Sequence, residues 1–265
     1  VKYSGYISFV LLLICSFAGF GQTLILGVSE RHESGLDRPG EYRLAWQLTQ
    51  QVLGDNQEFK LTLQSMPWAW SQSQLQQGKL DALFFAAITP EREQWAQFTA
   101  PLAISRAGFF RLSSQPFASA EQIRTSDLLV GVIEGSAQSQ FLRDSGYNNL
   151  YGLVESDALL QLLKGGRVKH IFIVETLARY YCSDKSGRRQ NLCLEAGDMP
   201  MEAGIHIMGR QGNANFGRFT RALNKGLNKL VSEDRVWPLF EQNGLSRLSY
   251  QKWQQILDRQ MALSP

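Results

Sequence analysis

The stretch Gly78-Lys79-Leu80-Asp81-Ala82-Leu83-Phe84-Phe85, followed by Thr89-Pro90-Glu91-Arg92 and Phe98-Thr99-Ala100-Pro101, decides how the rest of the chain reads. Gly78 suits a helix end, because a residue without Cβ takes the left-handed turn that satisfies the last helical carbonyls. Ala82 to Phe85 is a short unbroken apolar run, the pattern of a strand buried on both faces. Thr89 offers the hydroxyl of a helix N-cap, with Pro90 at the first helical position and an acid close behind. Arg92 then falls just past the carboxyl end of a parallel strand, where open α/β sheets bind ligands.

On either side of this stretch the chain alternates strand and helix. Leu24 to Val28 reads as a strand, and Glu41 to Leu53 as a helix with Leu44, Ala45, Leu48 and Val52 on one stripe and Gly54 as its stop. Phe59 to Leu63, Asp81 to Phe85 and Ala107 to Leu112 read as further strands, with a short helix over Ser71 to Gln77. Ser113-Ser114-Gln115-Pro116 breaks the pattern and suggests a crossing to a second domain. There, Leu128 to Val132 and His170 to Val174 are strands. Helices run from Gly135-Ser136 to about Asp144, from Asp157 to Lys164, and on to Tyr181. Gly204 to Met208 reads as a strand returning to the first domain. Phe216, Phe219, Leu223, Leu227 and Leu230 form the apolar face of a long helix, and two more helices lie near Trp237 and Trp253. Repeated βα units imply parallel sheets, and two lobes joined by two crossings imply a cleft. The expected division is lobe 1 over 22–112 and 205–265, and lobe 2 over 113–204.

Residues 1–21 have the layout of a secretory signal peptide: Lys2, an apolar core over Ile7 to Ile14, and small residues near Ala18 to Gly21. An uncleaved anchor is the alternative, but the apolar segment is short of the roughly 20 residues a spanning helix needs. Lipidation at Cys15 would place bulky Ile14 where a small residue is wanted. The chain is therefore expected in the periplasm, with two cysteines after export, Cys182 and Cys193. A close pair in an exported protein suggests a disulfide, worth about 3 kcal/mol in the chain-entropy model. The formal charge is +3, with basic residues scattered except for Lys185 to Arg189, which argues against nucleic acid as a partner. No Ser-His-Asp order, metal-binding histidine pair or phosphate loop is visible, so neither a metal nor a cofactor is expected.

Taken in order, these landmarks resemble the periplasmic solute-binding proteins of family 3. Met66-Pro67-Trp68 precedes Leu75-Gln76-Gln77-Gly78-Lys79-Leu80-Asp81-Ala82; Ile88 to Arg92 and Phe98 to Pro101 look like the family's central signature. Val130-Gly131-Val132 with Gly135-Ser136 looks like the start of its second lobe, and Leu163-Lys164-Gly165-Gly166-Arg167-Val168 like the segment before that lobe's last strand. The resemblance implies a type II periplasmic-binding (Venus flytrap) α/β fold. It also implies a monomeric, non-enzymatic receptor for amino-acid-like solutes, partnered by an ABC permease or a membrane sensor.

Arg92 matches the family arginine that grips the ligand carboxylate, which a planar guanidinium can do with two parallel bonds. Ser136 and its neighbouring amides form a helix end that attracts anions. Ala86-Ala87 stands where relatives carry Ser or Thr, leaving Ala87 as the contact there, and Val174 stands where they carry an acid for the ligand's ammonium, with Glu175 next along. These departures point away from a standard α-amino acid in the standard pose. Trp68, Trp70 and Phe84 are stacking candidates; Trp70, in a polar stretch with Ser71, Gln72 and Ser73, is the better one, whereas Phe84 reads better as core. Glu30 and His32 lie past the end of the first strand and complete the candidate set. With Glu175 they would also be the acids and bases of a flytrap-fold dehydratase or lyase, should the protein be an enzyme.

Overall fold

The computed structural model describes residues 21–55, 58–182 and 193–262. The expected leader lies outside them save for Gly21. The strands are β1 (Gln22–Val28), β2 (Phe59–Ser65), β3 (Ala82–Ala87), β4 (Ala96–Phe98), β5 (Ala103–Leu112), β6 (Val130–Ile133), β7 (Leu150–Leu153), β8 (His170–Val174), β9 (Leu194–Ala196) and β10 (Met201–Arg210). They join one sheet in the order β2-β1-β3-β10-β5-β8-β6-β7, with β4 against β10 and β9 against β5.

The expected parallel pairing holds at the two ends of this sheet: β1 lies between β2 and β3, and β6 between β7 and β8. It fails in the middle. There β10 runs antiparallel to β3, β4 and β5, and β5 antiparallel to β8 and β9. The reason is connectivity. β5 carries the chain out of the first lobe and β10 brings it back, so the two must run in opposite directions. They pair with each other over Ala103 to Ala107 and Met201 to Ile205. Beyond that overlap β5 pairs with β8, and β10 with β3. These two strands are the crossings between the lobes.

Each lobe has its own core. In the first, Leu24 and Leu26 of β1 pack with Leu44, Leu48 and Val52 of the helix Glu41–Asp55, with the Phe216 to Leu230 face of the helix Ala214–Ser232, and with Trp253. Each fully buried leucine or phenylalanine there contributes about 1.5–3 kcal/mol. Trp253 satisfies its indole N–H on the Pro101 carbonyl at 2.8 Å, which is what makes a buried tryptophan tolerable. In the second lobe the sheet is covered on both faces, by Leu159, Leu163 and Ile171 on one and Leu142, Val132 and Phe172 on the other.

The deciding stretch folds as its residues dictate. The helix Trp68–Gln76 ends with Gly78 at φ +73°; the amides of Gly78 and Lys79 reach back to the carbonyls of Leu75 and Gln74. Thr89 caps the short helix Pro90–Glu93 by accepting from the Arg92 amide at 3.3 Å. The expected disulfide between Cys182 and Cys193 is not formed in the structure. Both sulfurs face backbone, Cys193 toward the Cys182 carbonyl at 3.5 Å and Cys182 toward the Leu194 amide at 3.2 Å. His170 and His206 are both buried.

Candidate functional site

Between the lobes lies a cavity of about 590 Å³. Its first-lobe wall is aromatic: Tyr42 from the helix Glu41–Asp55, Trp68 from the helix Trp68–Gln76, and Phe84 and Phe85 from β3. Ile133, Val174 and Leu177 face them from the second lobe. Tyr42 stands edge-on to Phe84, ring centres 5.1 Å apart, and tilted to Phe85 at 4.8 Å.

Arg92 lines this cavity and is 3% exposed. Its Nη1 donates to the Ala87 carbonyl at 2.7 Å, its Nη2 to the Gly135 carbonyl at 3.1 Å, and its Nε to Gln72 Oε1 at 3.3 Å. Its guanidinium lies 4.9 Å from the centre of the Trp68 ring. Three of five N–H groups are thereby used, and two remain. Among the described residues no carboxylate is bonded to it. Burial pushes its pKa down to about 10, with Glu91 pulling it back up, so it stays cationic at neutral pH. The other cations at the cavity differ. Arg31 pairs with Asp157, Arg179 pairs with Glu41 at 2.6 Å, and Arg38 donates to the Tyr180 carbonyl at 2.9 Å.

Several of these contacts cross from lobe to lobe. Gly135, at φ +66°, turns its carbonyl toward the first lobe, where it accepts from Trp68 Nε1 at 3.0 Å and Gln72 Nε2 at 2.8 Å as well as from Arg92. Ser136 follows it and caps the helix Ala137–Asp144 by accepting from the Ser139 amide at 3.0 Å. On the opposite side, Glu41 accepts from Thr176 at 2.9 Å and from Arg179, while Arg31 reaches Ser156 at 3.3 Å. The lobes are thus closed over the cavity.

Of the expected site residues, Arg92, Ala87, Ser136 and Glu30 line this space, Glu30 at its exposed rim. Three lie elsewhere. Trp70 is 60% exposed on the outer surface, because residues two apart on a helix point away from each other and Trp68 takes the inward position. His32 is buried behind the aromatic wall, sharing a 2.8 Å hydrogen bond with the Tyr42 hydroxyl and standing edge-on to Trp46. Burial lowers its pKa, against a smaller upward pull from Glu33. Glu175 lines a second, smaller cavity of about 390 Å³ with Arg106 and Cys182. Phe84, expected as core, is buried and also lines the cleft. Tyr42, Phe85, Gln72 and Gly135 were not foreseen as site residues.

The two-lobed sheet with paired crossing strands, and a cleft between the lobes holding a buried guanidinium, is the type II periplasmic-binding fold. The chain belongs to the bacterial extracellular solute-binding proteins, family 3, whose profile matches residues 44–244. Solved structures agree on the fold. A histidine kinase sensor domain with similarity to periplasmic binding proteins is 18% identical, covering 83% of this chain and 95% of that one, with a TM-score of 0.66. The substrate-binding protein of an amino acid ABC transporter is 16% identical, with coverages of 83% and 98% and a TM-score of 0.65. The ancestral amino acid-binding protein AncCDT-1, a precursor of cyclohexadienyl dehydratase, is 17% identical, with coverages of 83% and 94% and a TM-score of 0.64. No curated protein matches the chain. Among the described residues no helix is long and apolar enough to cross a membrane.

Proposed function

We propose that this protein is an exported, periplasmic receptor that closes on a small carboxylate-bearing solute and delivers it to an ABC-type permease. The observation that carries the reading is Arg92: a buried cation in the interlobe cavity, held by neutral acceptors, with two donors left over. A buried charge is costly until a counter-charge joins it, and a carboxylate fits the remaining fork. The helix end at Ser136 adds partial positive charge from the second lobe, so the anion ties the lobes together and drives closure. The proposed lobes are 22–112 with 205–265, and 113–204. A sensor of the same ligand would use the same closure, and the likeness to a kinase sensor domain keeps that second reading in view.

Thermal-shift screening of small carboxylates tests the proposal. A ligand at 100 times its Kd should stabilise the protein by about 2.7 kcal/mol. Arg92→Ala should abolish that shift while still folding cooperatively. A ligand whose shift survives the substitution would refute the carboxylate reading. Mass spectrometry of the bound compound after incubation checks that it leaves unchanged.

A further inference from the structure

Resting on the carboxylate reading above, we propose that the ligand has no ammonium beside its carboxylate and carries an aromatic or bulky apolar body, with Phe85 as the residue that sets this specificity.

The first observation is a bulge in β3. Ala86 and Ala87 pair with His206 and Ile205 of β10, but the next register pair is Leu83 with Met208. Two residues of β3, Phe84 and Phe85, therefore stand against one residue of β10, Ile207. Phe85 sits at φ +67°, a conformation strained for a side chain of this size. In a regular strand the two phenylalanines would point to opposite faces. Here Phe84 belongs to the first-lobe core and Phe85 packs against the same cluster, and both reach the cavity beside Tyr42. Glycine would relieve the strain at once. Strain of this kind persists where the surroundings use it, and here it sets a second ring into the ligand space.

The charge inventory supplies the second observation. Among the described lining residues the carboxylates are Glu30 and Asp37, and both are exposed at the rim. Glu41 and Asp157, nearby, are already paired with Arg179 and Arg31. The second-lobe lining sets Ile133, Val174 and Leu177 beside the neutral polar residues Ser136, Gln138, Ser156 and Thr176 and the cation Arg179, with no carboxylate among them. An ammonium carried in with the carboxylate would be stripped of water and find no counter-charge inside the rim, only neutral hydroxyls and an amide, whereas a ring or branched chain would be buried among rings.

Isothermal titration calorimetry at neutral pH on the mature chain decides the matter, using 3-phenylpropanoate, L-phenylalanine, succinate and 3-phenylpropan-1-ol. L-Phenylalanine differs from the first compound only by its ammonium. The expected result is that 3-phenylpropanoate binds at least tenfold more tightly than L-phenylalanine or succinate. Phe85→Gly should weaken that binding at least tenfold without lowering the melting temperature of the unliganded protein. Preference for L-phenylalanine or succinate, lost in Arg92→Ala, would overturn this inference and leave the carboxylate reading intact. The alcohol binding as tightly as the acid would instead sink the carboxylate reading. No heat from 3-phenylpropanoate at 1 mM, or unchanged affinity in Phe85→Gly, overturns the proposal.

Discussion

Arg92 is a cross-brace between the lobes, and under the proposed function it is the ligand grip as well. Its contact to Ala87, within its own lobe, restrains the guanidinium before the lobes meet, and the one to Gly135 completes the hold on closure, so less freedom is left to lose on binding. The position of this arginine was readable in advance: a capped turn after a buried strand puts the fourth residue at the strand's carboxyl end. Trp70 was misjudged because local polarity says nothing about which way a helix is rotated; only packing shows that Trp68 faces the cleft. His206 has a different consequence. It is fully buried with Nδ1 against the Thr99 carbonyl at 2.8 Å, and burial lowers its pKa to about 4, opposed by its hydrogen bonds to Thr99 and Ala100. The unfolded chain, near 6.5, then binds the proton first as pH falls. The stability tied to His206 is whole above about pH 6.5 and is lost progressively toward pH 4, amounting to roughly 3 kcal/mol. Urea denaturation between pH 7 and 4 should show that slope, and a folded variant with Asn in place of His206 should flatten it.

Among the elements, the turn at Gly135 concentrates the closure chemistry. Its left-handed backbone aims one carbonyl at three donors of the opposite lobe. A Cβ added there would stand 2.9 Å from Gln72 Nε2. Gly135→Ala should therefore act twice. Backbone strain, about 1 kcal/mol, lowers the melting temperature in every state. The clash with Gln72 exists only when the lobes meet, so ligand affinity should fall further, by roughly fivefold to tenfold. Titration calorimetry beside thermal denaturation separates the two effects, and an affinity that does not change would show that the turn takes no part in closure. Most elements were legible from periodicity, as in the helix Ala214–Ser232 with its five buried apolar residues. The short strands β4, β7 and β9 were not, since three or four residues carry no readable period and form only because a neighbouring strand offers its edge. The bulge in β3 was hidden for the same reason. An unbroken apolar run looks the same whether or not it alternates.

For the molecule as a whole, closure is electrostatic at the edges and apolar inside. Arg31 with Asp157 and Glu41 with Arg179 tie the lobes at partly exposed positions. Exposed pairs are weak, each worth at most about 1 kcal/mol, and salt weakens them further. Raising ionic strength from 0.1 to 1 M shortens the Debye length from about 10 to about 3 Å. Whatever closed population the unliganded protein holds should then fall, seen as a larger radius of gyration in small-angle scattering. Glu41→Gln should already be more open at low salt and respond less to added salt. A radius indifferent to both would place closure elsewhere.

The route of the chain through β5 and β10 has one more effect, on the order of assembly. Everything between those strands is a single continuous run, while the first lobe is written in two pieces. β3 has no partner on one side until β10 is made, and Phe216, Phe219, Leu223 and Trp253 lie later still. A polypeptide emerging from its amino end must therefore hold its opening βα units unfinished while the inserted lobe becomes complete. The body begun first is finished last, by the helices at the carboxyl end.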